Sequence, residues 1–105
     1  MFKKQKGSKI TDQDILSKLY DFVLDPDTTA RERKIGLMAK TDLEKKRYVV
    51  AVVNTTMASL QQEAMSNGLT PAAQALYHEL DAIMNKIAPI GTNRAAVGFQ
   101  SSYLN

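Results

Sequence analysis

The chain of 105 residues has no cysteine, no tryptophan and a single histidine, His78. Without cysteine there is no disulfide framework and no thiolate chemistry, a composition that suits a reducing cytoplasm. One histidine with no cysteine excludes metal cages built from those ligands, so the expectation is no metal and no cofactor. No apolar run approaches the roughly 20 residues needed to cross a bilayer, which predicts a soluble protein. The first residues, Met1 to Lys9, are basic but are not followed by a long apolar run before Asp12, so they read as neither a signal peptide nor an anchor.

The positive charge is unevenly placed. Residues 1–47 hold twelve Lys and Arg against eight Asp and Glu, whereas residues 48–105 hold two against three. A basic front half can favour anionic headgroups or acidic protein surfaces, or serve solubility alone. At this length the chain is read as one domain covering residues 1–105, with a flexible leader over 1–10, a helical bundle over 11–88 and a C-terminal tail over 89–105.

What organises the chain is a stop followed at once by a start, Ser66-Asn67-Gly68-Leu69-Thr70-Pro71. Gly68 can close one helix with a positive φ, Thr70 can cap the next, and Pro71 suits a first helical position because its missing N–H would be unpaired there anyway. Val50, Val53, Met57, Leu60 and Ala64 precede this junction at steps of three and four, and Ala73, Leu76, Leu80, Ile83 and Ile87 follow it likewise. Two antiparallel helices with one apolar stripe each leave surface to be covered, and the front half must cover it. Thr11 with Asp12 and Asp14 begins a helix carrying Ile15, Leu16, Leu19, Phe22 and Val23, which ends before Pro26. Thr29 and Glu32 have capping-box spacing and begin another, with Ile35, Met38, Ala39 and Leu43 inward and Arg31, Arg33, Lys34, Lys40 and Lys45 in water. Gly36 weakens that helix, and Thr41 with Glu44 repeats the box spacing, which allows a break near Thr41.

The segment Val49-Val50-Ala51-Val52-Val53 has strand propensity. It is nonetheless read as helix, because its apolar recurrence runs in register to Ala64 and no second β-rich segment exists to pair with it. The prediction is an all-α, antiparallel up-down four-helix bundle with helices at 12–24, 29–46, 48–66 and 71–87.

Catalytic constellations are scarce. His78 is the one candidate base near neutral pH, and it faces away from Leu76 and Leu80 with no residue to orient it. There is no phosphate-binding glycine loop and no Glu-x-x-His pair, so the chain reads as a non-enzyme. Arg31-Glu32-Arg33-Lys34 and Lys45-Lys46-Arg47 could meet phosphates, but solvated helix faces explain them more simply. The candidate partner-recognition residues lie at the other end of the chain: Tyr77, His78, Arg94, Phe99 and Tyr103, aromatics and arginine of the kind enriched in interface hot spots. The alternative is that they seal the open end of the bundle.

The order of segments resembles one family. Ile15-Leu16-Ser17-Lys18-Leu19-Tyr20 with Asp25-Pro26, Arg31-Glu32-Arg33 opening a helix that closes at Leu43-Glu44-Lys45, a long third helix, Gly68-Leu69-Thr70-Pro71, Leu76-Tyr77 and a loose tail are similar to the immunity proteins of class IIa (pediocin-like) bacteriocins, the group related to enterocin A immunity protein. The lysine-rich leader, Lys3 to Lys9, departs from that pattern. The resemblance implies an antiparallel four-helix bundle with a C-terminal extension, acting in the cytoplasm of a lactic acid bacterium or a relative, with partial membrane association. It implies self-protection: engagement, from inside, of the membrane components of the mannose phosphotransferase system loaded with bacteriocin, with toxin type recognised by the C-terminal half, Leu76 to Asn105. It carries over no catalytic residue. A small helical adaptor or a regulatory, nucleic-acid-binding bundle stands as the alternative.

Overall fold

A computed structural model describes residues 10–87 and 102–104. Four helices follow in order: α1 (Asp12–Leu24), α2 (Ala30–Glu44), α3 (Val49–Asn67) and α4 (Pro71–Ile87). They form an antiparallel bundle in which α1 lies beside α2 and α4, and α3 beside α2 and α4. There is no strand among the described residues.

Three of the four helix starts are governed by threonine. Thr11 and Thr29 each accept the backbone N–H of the third helical residue, and the acid at that position, Asp14 or Glu32, accepts the threonine's own N–H, giving two complete capping boxes. Thr70 Oγ1 accepts the Ala73 N–H of α4 at 3.3 Å. Gly68, at φ +80°, closes α3 with its N–H on the Ala64 carbonyl. The end of α1 is satisfied differently. Arg33, a full turn into α2, reaches back and donates to the carbonyls of Val23, Asp25 and Thr28 and to the Thr28 hydroxyl, placing a cation at a helix C-terminus. Arg33 is therefore half-buried and not in water, and Lys40 too is half-buried, paired with Glu44.

The core is contributed by all four helices, with Ile15, Leu19, Ile35, Leu43, Val53, Leu60, Leu80 and Met84 among its closed side chains. Val50, Val52 and Val53 are all buried, so the valine density of α3 reflects a helix covered on more than one side. Two inward assignments from periodicity do not hold. Met38 is exposed because Glu32, Ile35, Gly36, Ala39 and Leu43 form the buried face of α2, and at 100° per residue Met38 lies roughly 120° from its centre. Ala64 is exposed because Glu63 takes the inward position in the last turn of α3. Gly36 does not weaken α2 into a break, and the helix runs past Thr41 to Glu44. A Cβ at Gly36 would stand 2.8 Å from Val23 Cγ2 and 2.9 Å from Phe22 Cδ2, so the missing side chain sets how closely α1 and α2 approach.

Candidate partner-binding surface

Two buried carboxylates hold one end of the bundle together. Glu32 Oε1 accepts the Thr29 N–H and the Thr70 hydroxyl, while Oε2 accepts the Thr70 N–H, so one carboxylate lies between the N-termini of α2 and α4, where both helix dipoles favour negative charge. Glu63 takes Arg31 Nε at 2.6 Å and Asn67 Nδ2 at 2.9 Å. Burial raises its pKa, but the hydrogen bonds from Arg31 and Asn67, with the Arg31 charge, outweigh burial and hold the carboxyl below its ordinary value.

On the α2–α3 flank the end of the chain is fastened to the bundle. Ser59 is fully buried on α3 and donates its hydroxyl to the Thr55 carbonyl. The same oxygen accepts the Tyr103 N–H at 2.7 Å and the Ser102 hydroxyl at 3.3 Å. The Tyr103 hydroxyl donates to Asp42 Oδ2 at 2.8 Å, and Asp42 Oδ1 is paired with Arg47 at 3.4 Å. Burial, then the bond to Asp42 and its charge, push the Tyr103 phenol well above its ordinary value, with Arg47 opposing. Tyr103 and Leu104 also pack against the core, and Tyr103 with Asp42, Arg47, Tyr48, Val52 and Thr55 lines a cleft of about 480 Å³.

The neighbouring face of α3 meets α4. A cleft of about 380 Å³ lies there, lined by Asn54, Met57, Gln61, Tyr77, Asp81 and Met84. The Gln61 amide donates to the Tyr77 hydroxyl, and the Asn54 Nδ2 is buried with no hydrogen-bond partner among the described residues. Tyr77 is half-buried; His78 is exposed and its ring stands edge-on to Tyr77, centroids 6.3 Å apart at 85°.

The structure thus brings Tyr77 and His78 together on the α4 side and sets Tyr103 on the opposite groove of α3, as an anchor with a committed hydroxyl. Arg94 and Phe99 lie outside the described residues. Asp42 and Ser59, the two groups that receive the tail, were invisible to periodicity, since nothing local distinguishes them and their partners are 61 and 44 positions away. Asp12, Asp14, Asp25 and Asp27 belong to a helix start and a turn; Asp25 Oδ1, for instance, accepts the Asp27 N–H. Among the described residues no three His, Cys, Asp or Glu gather as a metal site would require, and no helix is long and apolar enough to cross a membrane.

A threonine-capped antiparallel bundle with residues 102–104 strapped to one groove defines a four-helix protein. The family model described as the bacteriocin immunity protein family matches residues 10–85, and the chain belongs to that family. No curated protein and no solved structure matches the chain.

Proposed function

We propose that the chain protects its producer from the cell's own pediocin-like bacteriocin, acting from the cytoplasmic side on membrane components of the mannose phosphotransferase system loaded with toxin. The observation that carries this reading is the family match over residues 10–85. The recognition elements are Tyr77 and His78 on α4 together with the tail that bears Arg94, Phe99 and Tyr103. The anchoring of Tyr103 on Asp42 and Ser59 supports this reading, because residues 102–104 already lie beside the bundle and that part of the ordering cost of binding is met beforehand.

The test is expression in a bacteriocin-sensitive strain challenged with a panel of pediocin-like bacteriocins. Survival against one or a few of them is the expected result, together with co-purification of the receptor's membrane components only when toxin is present. Deletion of residues 92–105 should abolish survival while leaving a folded helical protein. No protection against any member of the panel would overturn the reading.

A further inference from the structure

The turn between α2 and α3 breaks two rules of local stability at positions where the rest of the chain obeys them. Arg47 N–H bonds the Asp42 carbonyl and Lys46 N–H bonds the Leu43 carbonyl, the pair of bonds that closes a helix when the residue after the cap takes positive φ. That residue is Lys46, at φ +64°, the one non-glycine with positive φ among the described residues. Glycine is the default there, and this chain uses glycine for the equivalent task at Gly68. Two residues on, α3 starts from Tyr48, which makes no side-chain capping bond, although threonine caps each of the other three helices. Neither residue is the choice that would best stabilise the turn, and departures of this kind mark positions held for another purpose.

What the turn presents is three cations and an aromatic ring in succession. Lys45, Lys46, Arg47 and Tyr48 are all exposed, Tyr48 to 61%. Lys45 and Lys46 have no ion-pair partner among the described residues. Arg47 shares Asp42 with Tyr103, and Glu44 is paired with Lys40, while a third acid, Asp12, lines the same cleft as Lys46. The antiparallel order puts this turn at the end of the bundle where α1 begins, and Lys46 shares a cleft with Asp12 and Gln13 of its first turn. The sequence that leads into α1 carries Lys3, Lys4, Lys6 and Lys9 and no acid.

We propose that the exposed turn Lys45–Tyr48 is the surface by which the bundle rests on an anionic lipid bilayer. Lysine stems and a tyrosine ring are amphipathic groups suited to the headgroup layer, where cations gain from anionic lipid and the ring sits at the edge of the apolar region. A nucleic acid is the poorer fit, because the basic run Lys45–Arg47 lies in the turn at the tip of the bundle and not along a helix that could enter a groove. The inference deepens the reading above and rests on it for its purpose, because a partner embedded in the membrane is met sooner by a protein already held at the surface.

The experiment is co-sedimentation of the full chain with vesicles of phosphatidylglycerol and phosphatidylcholine, or of phosphatidylcholine alone, at low and at physiological ionic strength. Binding to the anionic vesicles at low salt, weakened by added salt and absent on neutral vesicles, is the expected pattern. Lys45→Gln/Lys46→Gln should weaken it at least tenfold, and Tyr48→Ser should weaken it while leaving the fold intact. Lys46→Gly is the decisive variant, since it relieves the positive-φ lysine: melting temperature rises and vesicle binding falls. Undiminished binding by the double variant overturns the proposal, as does tighter binding to duplex DNA than to vesicles at equal phosphate concentration. Because the vesicles contain no toxin and no receptor, a chain that fails to protect cells but binds vesicles through these residues would sink the immunity reading and leave this one standing.

Discussion

Glu32 in the first turn of α2 accepts both the backbone N–H and the hydroxyl of Thr70, 38 residues further along, at 2.9 and 2.7 Å. A residue whose local role is to complete the capping box of its own helix thereby also ties down the start of α4. Glu32→Ala should lower stability by about 2 kcal/mol, at roughly 1 kcal/mol for each helix start it serves. Thr70→Ala should share that loss, so that in urea titrations the double variant is less destabilised than the sum of the singles by at least about 0.5 kcal/mol. Strict additivity would mean that the bridge contributes nothing beyond two separate caps.

At the centre of the bundle, Leu60 and Leu80 are 0% and 1% exposed. Truncation of either to alanine leaves a cavity as well as losing the transfer energy of three carbons, and each should cost about 2 to 5 kcal/mol in equilibrium unfolding. A loss below about 0.5 kcal/mol would place the residue outside the packed core.

Gly36→Ala sets two effects against each other. Alanine gains up to ~1 kcal/mol of helix propensity, but its Cβ meets Val23 Cγ2 and Phe22 Cδ2 inside 3 Å, and Phe22 is itself buried. Forcing a methyl into such a contact costs about 1 to 3 kcal/mol. The variant should therefore melt below the parent protein; a higher melting temperature would show that α1 can move away without penalty.

Acid should unfasten the Arg31–Glu63 pair. The folded state holds the Glu63 carboxyl below its ordinary value of 4.5, so the pair's contribution is complete above that pH and is lost as pH falls through the lower folded value. Melting temperatures of the parent protein and of Glu63→Gln, followed from pH 7 to pH 3, should differ most near neutrality and converge in acid. A gap that stays constant across this range would refute the assignment.

The Tyr103 phenol behaves in the opposite sense. Its folded pKa lies above the ordinary value of 10.0, so the neutral form is favoured in the docked tail, and docking stability present below pH 10 declines as pH rises past it. Tyr103→Phe removes the bond to Asp42 and should reduce tail protection in hydrogen exchange several-fold, with little change in global melting, because net hydrogen bonds are worth about 0.5 to 1.5 kcal/mol. Unchanged exchange would mean that the Ser59 contacts suffice to hold the tail.

The helices were legible in the chain because their signals are local. Threonine caps, Gly68, the Thr70–Pro71 start and apolar residues recurring every three or four positions act within a few residues of one another, and they predicted the number, order and type of the helices with ends displaced by at most two residues. The valine run of α3 became helical against its propensity because four packed helices can bury it and no second strand exists to pair with it. What only the tertiary structure decided were the relationships between distant positions. Glu32 and Glu63 are buried because cations, hydroxyls and amides from other turns and helices satisfy their oxygens, and an isolated helix would have left both in water. Met38 faces outward because Gly36 packs on α1 and Glu32 bonds Thr70, which turns the buried face of α2 inward between its neighbours α1 and α3, a rotation that periodicity in an uneven stripe could not fix. Tyr103 became an anchor because folding brings Asp42 and Ser59 to one groove, and a hydrogen bond that spans 61 positions leaves no trace in the pattern of either partner's neighbours.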